Sequence, residues 1–209
     1  MEIEQRDGWW WPKTDKRCWS YMQRFPDLPQ RVAQYVKNLD TAIQAGGNAG
    51  FYTKQYAKLF SSVYTFEPDF INFHCLTRNV TEHNVVKIQS CIGNERGLTN
   101  LHIDEGNRGK NYIEGSGIYP ILKIDDLNVN QCSLIHLDIE GYEYNALLGA
   151  IDTIERCRPT VVVEIWDVLT NRFGEDLNEK TKQLMSDLNY QFVDLLDGSD
   201  WVFRPIEDI

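Results

Sequence analysis

Gln191-Phe192-Val193-Asp194-Leu195-Leu196 and Trp201-Val202-Phe203-Arg204 decide the fold. Both runs are rich in β-branched, aromatic and apolar residues, and only Asp197-Gly198-Ser199-Asp200 separates them. A connection that short joins antiparallel strands, because a parallel pair needs a crossover of a dozen residues or more. Upstream the pattern is different. Strand candidates at 42–45, 63–66, 85–89, 134–139 and 160–165 alternate with helix candidates. The helices fall at 51–60, from the cap Asp69 to about residue 78, at 142–155 and at 176–188. Such alternation predicts a parallel α/β sheet covered on both faces. A mostly parallel sheet that finishes in an antiparallel hairpin is therefore expected.

Two segments break the rhythm. The first 30 residues hold four of the six tryptophans (Trp9, Trp10, Trp11, Trp19) and read as an irregular aromatic arm that packs on the domain or covers a site. A short helix at 30–39 follows. The expected organisation is thus an arm and helix over 1–40 and a single domain over 41–209. Between the third and fourth strands lie about 40 residues without a clear helix, holding six of the fourteen glycines. A stretch of that length in a compact domain is expected to be a functional loop or to contain short strands, for which 98–103 and 118–124 are candidates.

Composition narrows the partners. Twenty-one basic residues against thirty-one acidic ones give a net charge of -10. Phosphate contacts need clustered Lys and Arg, so neither nucleic acid nor an anionic membrane is an expected partner. No apolar run approaches the ~20 residues that cross a bilayer, and the opening residues do not read as a signal peptide. Five scattered cysteines form no Cys-x-x-Cys pair, and four histidines show no ligand spacing. The expectation is a reduced, cytoplasmic protein without a metal.

The chemistry starts at the first strand-to-helix turn, Gly46-Gly47-Asn48-Ala49-Gly50. Open α/β sheets bind ligands at strand carboxyl ends, glycines admit close backbone approach, and the next helix offers free N–H groups. The second strand ends in Glu67, twenty-one residues after Gly46, where a carboxylate can accept hydrogen bonds from both hydroxyls of a ribose. Together these residues predict a nucleoside-containing cofactor. A nicotinamide fold prefers Gly-x-Gly-x-x-Gly, and here Asn48 takes the place of the second required glycine. The terminal hairpin matches instead the Rossmann-like class I methyltransferase fold, with its seven-stranded sheet. S-adenosylmethionine is the expected ligand.

From Ala45 to Thr53, and again from Val63 to Asp69 with Asn72-Phe73, the chain resembles the FkbM-type methyltransferases. Those carry a Gly-Ala-Asn-x-Gly turn and a Phe-Glu-Pro strand end. Leu122-Lys123-Ile124-Asp125-Asp126-Leu127 and the block LIHLDIEGYE at 134–143 continue the resemblance, which spans roughly 41–166 in the family's motif order. It implies methyl transfer from S-adenosylmethionine, usually to a hydroxyl oxygen of a sugar or other small molecule. It also implies that Gly46, Asn48 and Gly50 line the methionine end, that Glu67 holds the ribose, and that the Cys91-Ile92-Gly93 turn lies near the adenine, with Gly47 and Pro68 among the cofactor-binding residues. Asp138 and Glu140 would stand near the methyl group, with Glu164 from the fifth strand also in reach of the acceptor. One departure concerns the methionine ammonium. Where the family places an acidic residue, two positions before the first glycine, this chain has Gln44.

Plainer roles compete at several positions. Glu143 suits a helix cap, since carboxylates favour helix N-termini. His136 lies deeper in its strand and reads as a hydrogen-bonded core histidine. The chain has neither the Asn/Asp-Pro-Pro-Tyr/Phe block nor the Pro-Cys nucleophile of nucleobase methyltransferases. A non-catalytic binding or interaction protein on the same scaffold is the alternative that Gln44 keeps open.

Overall fold

The computed structural model describes residues 2–166, 172–173 and 176–209. The chain begins with a two-stranded ribbon, β1 (Ile3–Arg6) and β2 (Trp9–Pro12), then α1 (Arg17–Arg24) and α2 (Leu28–Ala33). Next come β3 (Thr41–Ala45), α3 (Phe51–Leu59), β4 (Ser62–Phe66), α4 (Phe70–Asn79) and β5 (Val85–Ile88). An insertion holds β6 (Cys91–Ile92), β7 (Gly97–Thr99), β8 (Leu101–His102), β9 (Tyr112–Ile113) and β10 (Tyr119–Leu122). The sheet resumes with β11 (Leu134–Leu137), α5 (Glu143–Leu148), α6 (Ile151–Cys157) and β12 (Thr160–Glu164). It closes with α7 (Leu177–Asp187), β13 (Tyr190–Leu196) and β14 (Asp200–Pro205).

The central sheet has seven strands in the order β13-β14-β12-β11-β3-β4-β5. β14 runs antiparallel between β12 and β13, with Val162 opposite Val202, while β3, β4, β5, β11 and β12 pair in parallel. This is the class I methyltransferase fold that the terminal hairpin predicts. The parallel strands read as near-continuous apolar runs because both faces are covered. Val161, Val162 and Val163 are fully buried, as are Leu134, Ile135 and Leu137.

Three local expectations are corrected. The N-terminal residues are not irregular: Trp9-Trp10-Trp11 forms β2, which pairs in register with β1 and packs on α4. Trp11 is fully buried and joins Cys18, Met22 and Val32 in one cluster with Tyr56 and Leu76. Three tryptophans in a row lack the period-two alternation of a half-exposed strand, so the ribbon is hidden from pattern analysis. The helix expected at 30–39 starts earlier and ends sooner, because Pro29 sits in its first turn, where a missing N–H costs nothing. The helix expected at 142–155 is two. The chain breaks at Gly149, where a Cβ would lie 2.1 Å from the carbonyl oxygen of Gly93 in the insertion. The insertion itself folds into a three-stranded sheet, β6-β10-β7, and a separate ribbon, β8-β9.

Among the described residues no helix is long and apolar enough to cross a membrane. All five cysteines are free thiols.

Candidate active site

The turn after β3 makes the floor of a cavity of about 370 Å³, which opens where β3, β4, β11 and β12 end. Gly46 and Gly47 each donate their backbone N–H to the carbonyl of Phe66, at 3.1 and 2.9 Å, which ties the turn to the end of β4. Gly46 (φ +89°), Asn48 (φ +46°) and Gly50 (φ +88°) all take left-handed backbone conformations. Glycine accepts that region without steric cost, and Asn is among the few side chains that tolerate it.

Gly46 and Asn48 line the cavity, whereas Gly47 and Gly50 do not. A Cβ on Gly47 would press on Thr65 and Leu76, and one on Gly50 on Val80 and Leu76. These two glycines let the turn pack against α4, which makes them scaffold for the site rather than its wall.

Glu67 is 5% exposed and each of its oxygens takes one backbone N–H. Asn48 N donates to Oε2 at 2.8 Å, and Asp69 N donates to Oε1 at 2.8 Å. Burial pushes its carboxyl up to about 8, with the charge of Asp69 adding to the shift and the two N–H donors opposing it. Each carboxylate oxygen keeps a further acceptor position. Pro68, Ser90, Cys91 and Ile92 continue the same wall. Ser90 Oγ is buried without a hydrogen-bond partner among the described residues. Burial pushes the Cys91 thiol up to about 12, so it stays neutral at ordinary pH.

Asp138, Glu140 and Glu164 come together at the far end. Each offers a carboxylate oxygen, and these oxygens lie within 4.8 Å of one another, close enough to surround a cation. The spacing of histidines and cysteines holds no hint of this grouping. Burial raises the Asp138 carboxyl well above the usual range, and the neighbouring Glu140 adds to it. Glu164 is raised well above its range by burial and by Asp138, and its Oε2 has no hydrogen-bond partner among the described residues. Glu140 is raised by burial while Arg172 works against the shift. The Arg172 guanidinium donates to the Glu140 carbonyl and lies 3.3 Å from its Oε2. Glu140 itself has φ +61°, a strained conformation for a residue with a side chain.

The neighbours of this trio play the plainer roles. Glu143 Oε1 accepts from Ile139 N at 2.9 Å and Gly141 N at 3.3 Å, which fixes the loop entering α5. His136 Nδ1 lies 2.6 Å from the Tyr56 hydroxyl, and its Nε2 lies 3.5 Å from Asp200 Oδ1. Gln44 is 4% exposed and lines the cavity. Its Oε1 accepts from the hydroxyls of Thr53 at 2.7 Å and Thr65 at 3.4 Å.

A roof closes over this floor that sequence spacing does not reveal. Arg17, Cys18, Tyr21 and Met22 of α1 line the cavity, as do residues of the insertion. Asp15, fully buried, joins the two: Oδ1 accepts from Cys18 N at 3.0 Å and Oδ2 from Arg108 N at 3.1 Å. The Arg108 guanidinium then donates to Asp69 Oδ2 at 2.7 Å, so the residue that caps α4 also anchors the roof. Asp15 placed three residues before Cys18 is a helix-start signal, the one local clue to this arrangement.

The sheet order and the antiparallel β14 give the chain the class I methyltransferase fold, with the cavity at the ends of its parallel strands. The domain model described as Methyltransferase FkbM domain matches residues 120–192, and over that stretch the chain is similar to the FkbM-type methyltransferases. That match contains Asp138, Glu140 and Glu164 but not the Gly46–Gly50 turn or Glu67. A solved methyltransferase FkbM from Methylobacillus flagellatus KT is similar with a TM-score of 0.52 at 17% identity, over 88% of this chain and 59% of that one. The chain thus spans about three fifths of the length of that protein. A ribosomal protein L11 methylase from Lactobacillus delbrueckii subsp. bulgaricus is similar with a TM-score of 0.52 at 12% identity, over 88% of this chain and 79% of that one. These likenesses are of fold. No curated protein matches the chain.

Proposed function

We propose that this chain is an S-adenosylmethionine-dependent methyltransferase acting on a hydroxyl oxygen of a sugar or other small molecule. The observation that carries this reading is the convergence of Glu67 and Asp138 on one cavity, from the ends of β4 and β11. The residues fit the cofactor. Glu67 keeps acceptor positions for ribose hydroxyls, and Ser90 Oγ lacks a partner that an adenine edge supplies. Gln44, Gly46 and Asn48 face the methionine end, while Pro68, Cys91 and Ile92 border the base. Bound there, S-adenosylmethionine supplies a methyl carbon activated by its sulfonium.

The chain's own residues then have two tasks. The cavity walls orient the acceptor, an effect worth several kcal/mol in a displacement reaction. Asp138 accepts the hydroxyl proton as the oxygen becomes bonded to carbon. A positive ligand on the floor favours the ionised form of Asp138, whose proton Glu164 and Glu140 otherwise help to retain. Net charge -10 supports a small-molecule acceptor over nucleic acid or an anionic membrane, and five free thiols support a cytoplasmic setting.

The test is incubation of the protein with methyl-labelled cofactor and a panel of hydroxylated sugars and metabolites. Label transfer to oxygen is the expected result. Gln44 favours the one competing reading, a scaffold that binds without catalysis, because it lacks the charge that holds an ammonium. Tight cofactor binding with no transfer across the panel would select that reading.

A further inference from the structure

The cavity rim carries charge of the opposite sign to the chain as a whole. Of the cations that line it, Arg108 is committed to Asp69 at 2.7 Å and is buried. Arg17 and Lys110 are exposed, and among the described residues neither forms an ion pair. Arg17 comes from α1 and Lys110 from the insertion, so both halves of the roof supply one. Two aromatic rings share the rim: Tyr21 is 40% exposed and Trp166 is 43% exposed. Lys110 Nζ stands 5.4 Å from the centre of the Trp166 ring. The four acids lining the cavity (Glu67, Asp138, Glu140, Glu164) lie on its floor. Burial favours their neutral forms, which lowers their repulsion of an incoming anion.

A net charge of -10 repels anions at long range. Exposed cations that line the cavity and form no ion pair among the described residues therefore call for a local reason. We infer that the acceptor is an anionic hydroxylated ring, which lays its ring on Tyr21 and Trp166, sets its phosphate or carboxylate between Arg17 and Lys110, and points a hydroxyl at Asp138. This deepens the methyltransferase reading and rests on it. Exposed aromatics suit the apolar face of a sugar, and a guanidinium with an ammonium suits a phosphate or carboxylate alike.

The experiment is calorimetry with three matched probes, glucose 6-phosphate, glucuronate and methyl α-glucoside, each titrated into protein pre-titrated with S-adenosylhomocysteine. At low salt at least one charged probe should bind about ten- to hundredfold more tightly than the neutral one, the range of one to two charge-assisted contacts. The first two probes separate phosphate from carboxylate. The Arg17→Gln/Lys110→Gln protein should lose that preference while its affinity for S-adenosylhomocysteine is retained. Both side chains are exposed, so the double variant is expected to fold. Equal binding of charged and neutral probes, no binding of any, or a preference that survives the double variant overturns the inference and leaves the methyltransferase reading intact. Failure of S-adenosylhomocysteine itself to bind overturns both.

Discussion

Gly46 rests directly on the main chain of Asp138: a Cβ built on Gly46 would lie 2.0 Å from the Asp138 carbonyl oxygen. The contact joins the glycine turn to the candidate base, since Asp138 N also donates to the carbonyl of Ala45 at 3.1 Å. Gly46 additionally holds φ +89°. Gly46→Ala is expected to destabilise the protein by roughly 2–4 kcal/mol, from left-handed strain and a backbone clash together. Chemical denaturation checks this. Unchanged stability would mean that the two strands do not meet as described.

Gln44 offers a gain-of-function test. Its Oε1 already receives two threonine hydroxyls, and glutamate has the same shape. Gln44→Glu places a negative charge where a methionine ammonium is expected. S-adenosylhomocysteine should bind about tenfold more tightly, the difference between a neutral and a charge-assisted contact. Adenosine, which lacks the amino acid, should bind as before. Equal changes for both ligands would remove Gln44 from the methionine end.

Asp138→Asn keeps the shape of the side chain and removes its capacity as a base. Turnover on an identified acceptor should fall by roughly a hundredfold or more, while cofactor affinity changes little. Full turnover in the variant would assign Asp138 a structural role and move the base to Glu164 or Glu140.

Buried carboxyls give stability a defined pH dependence. Glu67 is pushed up to about 8 and Glu143 to about 7, each mainly by burial, from an ordinary value of 4.5. Between these limits the folded protein holds protons that the unfolded chain has released. The stability these two groups contribute is full at and below pH 4.5 and is lost as pH rises toward 8. Thermal unfolding in the absence of cofactor should show a higher Tm at pH 5.5 than at pH 8, and Glu67→Gln should narrow the gap. A Tm that rises over this interval and is insensitive to Glu67→Gln contradicts the burial argument.

What the sequence revealed and what it hid follow from range. The β13–β14 hairpin, the glycine turn and Glu67 were legible because each is set by a few adjacent residues with fixed backbone chemistry. Asp69 as the α4 cap is of the same kind, and its Oδ1 accepts from Ile71 N and Asn72 N. The roof was not legible, since Asp15 and Arg108 meet across 93 positions and neither lies in a periodic segment. Nor could spacing tell that Gly47 and Gly50 pack on Leu76 while Gly46 and Asn48 face the cavity. The trio of acids sits between these cases. Asp138 and Glu140 stood out at the strand end, but Glu164 joins them only because β11 and β12 are neighbours in register.

The central claim is that the cavity holds a nucleoside cofactor with its ribose on Glu67. Calorimetric titration of S-adenosylhomocysteine into the wild-type protein and into Glu67→Ala tests it most directly. The expected result is saturable binding by the wild type and a loss of about ten- to hundredfold in the variant, the cost of leaving the ribose hydroxyls without their buried hydrogen-bond acceptor. Equal affinity in the two proteins would place the ribose elsewhere, and no binding by the wild type would contradict the account as a whole.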